Sequence, residues 1–185
     1  MAGYVERGTV RSWYDERGEG EPVVRLHGGA VDSRFFEHNV GPPAERFRVL
    51  APDRRGHGRT ADVEGPMTYD LILDDTIVFL EGVVDGRAHL VGHGVGAAVA
   101  LLVALRGLVQ KLVLISGGFS REGTVPGADQ VDVDQVVAFL GGSYGEVSPD
   151  GEAHVRVVME KLAAMALTDA PVAKEDLGAS PTGPW

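Results

Sequence analysis

Four short aliphatic runs, each ending in small or polar residues, most constrain what this chain can become. Val23-Val24-Arg25-Leu26 runs into His27-Gly28-Gly29, and Arg48-Val49-Leu50-Ala51 runs into Pro52-Asp53. Ala88-His89-Leu90-Val91 runs into Gly92, and Lys111-Leu112-Val113-Leu114-Ile115 runs into Ser116-Gly117-Gly118. Runs this short and Val/Leu-rich suit strands covered on both faces, as in parallel sheets. The segments between them have helical spacing. Thr68 is placed to cap a helix in which Leu71 and Val78, and Ile72 and Phe79, lie a heptad apart. Gly96 to Leu105 is an Ala/Leu/Val run long enough for a buried helix. Alternating β and α units predict an α/β fold: a doubly wound, mostly parallel sheet in a three-layer α/β/α sandwich. An earlier alternating run, Val10 to Tyr14, ends at the polar turn Asp15–Gly18 and is expected to lie antiparallel to the rest.

After Gly118 the pattern changes. Phe119 to Gly127 reads as a loop, and Val133, Val136, Val137 and Leu140 fit one helix face. Ser148, with Pro149 at the first helical position, is expected to cap a second helix carrying Val155, Val158, Met159 and Leu162 on one stripe. Two helices without an intervening strand predict an insertion over the sheet. The expected organisation is a core over residues 1–118, a helical cap over 119–168, and a start of the return to the core with an irregular tail over 169–185.

Composition excludes several classes. The formal net charge of −10, with no Lys/Arg cluster to offset it, disfavours nucleic acids and anionic membranes. The chain has no cysteine, which rules out disulfides and thiolate zinc sites. The first residues carry no apolar run, and the longest apolar stretch, Val95 to Leu105, is too short to span a bilayer. These features predict a soluble cytoplasmic protein.

Three motifs then occur in order, each just after a strand. They are His27-Gly28-Gly29, Pro52-Asp53-Arg54-Arg55-Gly56-His57-Gly58-Arg59-Thr60, and Gly92-His93-Gly94-Val95-Gly96. Together they resemble the α/β-hydrolase family, in its esterase, lactonase and epoxide-hydrolase-like branch, from about Gly8 to Asp176. The third motif is placed like the nucleophile elbow G-x-S-x-G. In so tight a turn, side chains at Gly92 and Gly96 would clash, and the central residue sits at a strained backbone angle. That residue is Gly94, which accepts the strain but offers no nucleophile. The resemblance implies an oxyanion hole from the backbone N–H groups of Gly29 and Val95, with His27, Gly28 and His93 lining a substrate pocket.

His57 and His93 are expected to support the loops by hydrogen bonds rather than act as bases. A metal site built from His27, His57, His93 and Asp53 is set aside, because the same residues occur in metal-free relatives. No cofactor is expected. His38, His89 and His154 read as structural or exposed. The Asp74-Asp75 pair reads as a solvated helix face with one capping contact.

The chain also departs from the family pattern. A full member continues past the cap with a strand ending at the triad acid and another leading to the triad histidine. Glu175-Asp176-Leu177-Gly178 resembles the approach to the first of these, and no apolar strand or late histidine follows. The resemblance therefore implies that the triad acid and histidine are absent and that the last strands are missing. Lys111–Ile115 would then be an exposed sheet edge prone to self-association. The expected function is that of a hydrolase-family protein whose ancestors cleaved a small ester, lactone or related substrate, inactive or severely impaired in this form. The alternative is a non-catalytic small-molecule-binding or interaction protein on the same fold. A cofactor-free lyase or oxygenase ranks third, since that chemistry normally needs the late histidine.

Overall fold

The computed structural model describes residues 1–7, 10–39, 41–118, 120, 123, 132–168 and 170–178. Most of the expected loop Phe119–Gly127, and the tail Ala179–Trp185, lie outside the described residues.

Six strands form one sheet: β1 (Ala2–Arg7), β2 (Val10–Arg17), β3 (Glu21–Leu26), β4 (Phe47–Pro52), β5 (Ala88–His93) and β6 (Val109–Ile115), in the order β1-β2-β4-β3-β5-β6. The pairs β4–β3, β3–β5 and β5–β6 are parallel, while β1–β2 and β2–β4 are antiparallel. The mostly parallel sheet and the reversed β2 agree with the sequence reading. β1 was not anticipated, because Ala2–Arg7 has too few apolar residues to announce a strand. It is held by its register on β2, with Tyr4 opposite Trp13. β2 also runs past the expected turn to Arg17, since Asp15, Glu16 and Arg17 pair with Ala51, Leu50 and Val49 of β4.

Short α1 (Gly41–Ala44) follows a 3-10 segment, Ser33–Asn39, and precedes β4. α2 (Tyr69–Phe79) starts where the Thr68 hydroxyl accepts the Leu71 N–H at 3.2 Å. Its buried stripe is Ile72, Leu73, Thr76 and Phe79, and it continues into a wider turn, Leu80–Val84. α3 (Val95–Leu105) is buried from Gly96 to Ala104. Its alanines allow close approach to the sheet, where it packs over Val24, Leu26 and Leu90 in one core. The opposite face of β3 meets the 3-10 segment, with the Arg25 guanidinium over Phe36. Fully burying each large aliphatic or aromatic core side chain contributes about 1.5–3 kcal/mol.

Two helices follow, α4 (Val133–Gly145) and α5 (Val155–Ala166). Asp132 caps α4 by accepting the Gln135 N–H. In α5 the expected stripe Val155, Val158, Met159 and Leu162 is buried. The start of α5 corrects the sequence reading. Ser148 accepts the Asp150 N–H at 3.2 Å in a local turn, and Gly151, at φ 80°, separates Pro149 from the helix. Glu152–His154 form a 3-10 turn that leads into α5.

β6 is the outer strand of the sheet, and Val113, Leu114 and Ile115 are 50%, 45% and 42% exposed. No helix among the described residues is long and apolar enough to cross a membrane.

Candidate active site

The turn between β5 and α3 puts Gly94 at φ 55°, ψ −120°. Its N–H donates to Ile115 O at 2.9 Å, and its carbonyl accepts the Ala97 N–H at 3.0 Å. The flanking glycines are required by close backbone crossings. A Cβ on Gly92 would lie 2.3 Å from Gly96 O, and one on Gly96 would lie 2.2 Å from Leu26 O and 2.5 Å from His27 O. At Gly94 the space is open, since a Cβ there meets only Gly28 Cα at 3.7 Å. The position thus has room for a side chain, at a strained backbone angle, that the sequence does not supply. Gly117, which the sequence reading did not single out, lies under the same turn, where its Cβ would come within 2.3 Å of Ala97 Cβ.

The loop after β3 is clamped from behind. Arg54 Nη2 donates to Gly28 O, and the Arg54 N–H donates to His27 Nε2 at 3.1 Å. His27 Nε2 is therefore an acceptor, and the ring proton sits on Nδ1, 2.8 Å from Gly28 O. His27 was expected to line a pocket. It is fully buried instead, with both nitrogens engaged by its own loops. Gly28 lies against the His93 ring, and His93 stacks on Phe35 at 4.5 Å between centroids. Gly29 lies beside Val95, with Leu162 of α5 over it.

The loop after β4 is organised by Asp53, whose carboxylate accepts the N–H groups of Ser33 and Arg59 at 2.8 Å each. Burial pushes Asp53 up, and those two hydrogen bonds oppose the shift. Gly58, at φ 54°, is needed because a Cβ would strike Asp53 Oδ2 at 2.2 Å. His57 lines a cavity of about 110 Å³ that reaches Tyr144 of α4 and Met159 of α5. Its Nδ1 lies 2.8 Å from Arg55 O, and its Nε2 meets Gly29 O. His57 therefore supports the loops, as expected of it. Among the described residues no group of three or more His, Cys, Asp or Glu side chains is placed to hold a metal ion.

Three contacts were not legible in the sequence. Asp75 is not solvated, because it takes Arg55 in a two-pronged pair at 2.6 and 2.9 Å. Arg34 joins Asp32 to Ser143 and Glu146 at the end of α4. Asp62 receives Lys161 of α5 at 2.6 Å and His154 of the preceding 3-10 turn at 2.9 Å, tying this helix to the loop after β4. All three pairings are long-range in the chain, and only the Arg54–Arg55 and Asp74–Asp75 doublets hinted at paired charge.

The alpha/beta hydrolase family model matches residues 23–183, from β3 through the turn at Gly94 and past α5. The chain belongs to the α/β-hydrolase family. It is 36% identical over 122 residues to the 2-hydroxy-6-oxo-6-(2'-aminophenyl)hexa-2,4-dienoic acid hydrolase of Metapseudomonas resinovorans, covering 60% of this chain and 42% of that protein. It is 28% identical over 158 residues to the 2-(acetamidomethylene)succinate hydrolase of Mesorhizobium japonicum, covering 79% of this chain and 57% of that protein. Among solved structures, E-2-(acetamidomethylene)succinate hydrolase superposes with a TM-score of 0.74 at 21% identity, over 92% of this chain and 74% of that one. This α/β-hydrolase chain spans about half the length of the curated relatives it matches.

The buried histidines make the hydrolase core acid-sensitive. Burial, with the Arg54 charge, pushes His57 down from 6.5 to about 4 and holds His27 well below its ordinary value. In the unfolded chain both take up protons near their ordinary value, and in the fold they resist until lower pH. Their contribution is therefore complete above about 6.5 and is lost as pH falls, with His57 reaching its limit near 4. Each histidine contributes a slope of about 1.4 kcal/mol per pH unit inside that window. Urea unfolding across this range should show the loss, and His57→Gln should reduce the slope. A stability that stays flat across the window overturns the assignment of buried neutral rings.

Proposed function

We propose that this chain is an α/β-hydrolase-family protein whose ancestral reaction was hydrolysis of a small ester, lactone or related substrate. In this form it binds a small molecule at the elbow without forming a covalent intermediate there. The observation that carries this reading is Gly94, a preserved elbow backbone with open space and no nucleophile. The relatives named as hydrolases of 2-hydroxy-6-oxo-dienoic and acetamidomethylene-succinic acids support the substrate size.

Two backbone donors remain. The Val95 N–H is the first amide of α3, and first-turn amides have no intrahelical acceptor. For Gly29 the argument is peptide geometry. The Gly28 carbonyl is held by Arg54 and His27, and no cis peptide bond is present. In a trans peptide the following N–H points opposite to the carbonyl. The Gly29 N–H therefore points away from Arg54. Two such donors would bind a carbonyl or carboxylate oxygen of a ligand. The same donors serve the alternative, a non-catalytic binding or interaction protein on this fold. Its association edge would be β6, where a second chain would complete the open strand.

A fluorophosphonate probe tests the reading, since it labels only an activated hydroxyl. The expected result is no labelling of the native chain. Stoichiometric labelling, mapped by mass spectrometry to a residue near the elbow, would overturn it.

A further inference from the structure

The cavity of about 110 Å³ at His57 borders the elbow. Ala30, which lines it, follows Gly29 in the chain, and Phe35, which also lines it, stacks on the His93 ring. The two helices contribute Leu140 of α4 and Val155 and Met159 of α5. Its volume is well below the about 300–1,000 Å³ of pockets that hold drug-sized ligands, so only a short group fits.

The charges at this cavity are already matched. Among the described residues that line it, Asp32 and Arg34 are the ionised pair, and they bind each other. Arg34 Nε donates to one Asp32 oxygen at 3.0 Å, and Nη2 donates to the other at 2.8 Å. Nη2 also reaches Ser143 O at 2.6 Å, and Nη1 donates to Glu146 at 2.7 Å. The Arg34 fork is thus taken up by its own chain. Glu146 lies in solvent, its side chain 67% exposed, so water and salt screen its charge. His57 is neutral near pH 7, because burial and the Arg54 charge push it down to about 4. Burial likewise pushes the Tyr144 hydroxyl up, which keeps it protonated.

An ionised ligand group entering here would give up water and meet no unpaired opposite charge. An uncharged group avoids that cost and gains dispersion contact with Phe35, Leu140, Val155 and Met159, whose thioether adapts to irregular shapes. We propose that this cavity takes the short, uncharged end of a ligand whose carbonyl is held at the elbow, and rejects ligands that carry a charge at that end, an assignment that rests on the reading of the elbow as a small-molecule site.

Three ligands that share a four-carbon amide test this. Butyramide ends in a methyl, succinamate in a carboxylate, and γ-aminobutyramide in an ammonium. Titration of the isotope-labelled native chain near neutral pH, followed by NMR, gives each affinity and the residues that respond. Butyramide should bind saturably, shift the Ala30 and Val31 amides, and show an Overhauser effect from its methyl to that of Met159. Both charged amides should bind at least about tenfold more weakly. Leu140→Trp, which fills the cavity from a half-buried position, should weaken butyramide by about tenfold or more. A charged amide that binds these residues within about tenfold of butyramide overturns the class of ligand and leaves the elbow reading standing. Butyramide bound without the Met159 contact, or unaffected in a folded Leu140→Trp variant, overturns the assignment to this cavity. If none of the three binds, the elbow reading falls and this assignment falls with it.

Discussion

Replacing Gly96 with alanine is expected to cost about 4 kcal/mol or more, a large part of the 5–15 kcal/mol that holds a typical domain folded. The added Cβ would lie 2.2 Å from Leu26 O, 2.5 Å from His27 O and 2.6 Å from Leu26 C. These are backbone atoms at the end of a buried strand, so no rotamer change relieves the contact. Either α3 moves off the sheet or β3 shifts, and both carry the elbow with them. Gly94→Ala is the control. There the nearest atom to the new Cβ is 3.7 Å away, and only the backbone angle of φ 55° is strained. That strain costs about 1–3 kcal/mol. Urea unfolding should rank native, Gly94→Ala and Gly96→Ala in falling order. If Gly96→Ala loses less than about 1 kcal/mol, the close crossing of α3 over β3 is wrong.

Gly94→Ser is expected to fold with a placed hydroxyl and yet to show no enzyme-scale turnover of a simple aryl ester. A serine hydroxyl attacks only when a base takes its proton and a third group holds that base. His27 and His57 are buried with both ring nitrogens against backbone groups of their own loops, so neither is turned to a hydroxyl at position 94. His93 stacks on Phe35 in the turn itself. On the proposed reading, the pair of backbone donors at Gly29 and Val95 would survive. Where a complete triad is disabled, such donors and binding alone leave about 10³–10⁴-fold over water, and the loss is about 10⁶-fold in turnover. The measurement is ester hydrolysis by native and Gly94→Ser chains under identical conditions. Turnover approaching 1 s⁻¹, the low end of ordinary enzymes, would mean that a resident histidine serves as base, with His93 the first to test by His93→Gln.

The order of elements was readable because it is a local property. Val23–Leu26 and Ala88–Val91 are apolar on both sides of the pleat, and Thr68 and the Ala-rich run after Gly96 mark helices within a few residues of themselves. The glycines of the elbow were readable for a related reason: a tight turn makes its own steric demand, and Gly92 and Gly96 meet it. The strand Ala2–Arg7 was not readable, because its hydrogen bonds belong to β2. The start of α5 was misplaced because a Ser-Pro pair is equally suited to a turn, and Gly151 decided between them.

The sequence by itself therefore determined the α/β order, the family, and the lack of any side chain at position 94. Only the tertiary structure decided what the charged residues do. Arg54 reaches back to Gly28 O, Asp75 to Arg55, and Asp62 to Lys161 of α5. It also left Arg25 Nε and Nη1 buried without an acceptor. Apolar periodicity records which face of an element is buried, and it survives in a few consecutive residues. The partner of a buried charge is set by where distant segments meet, and no local pattern records that.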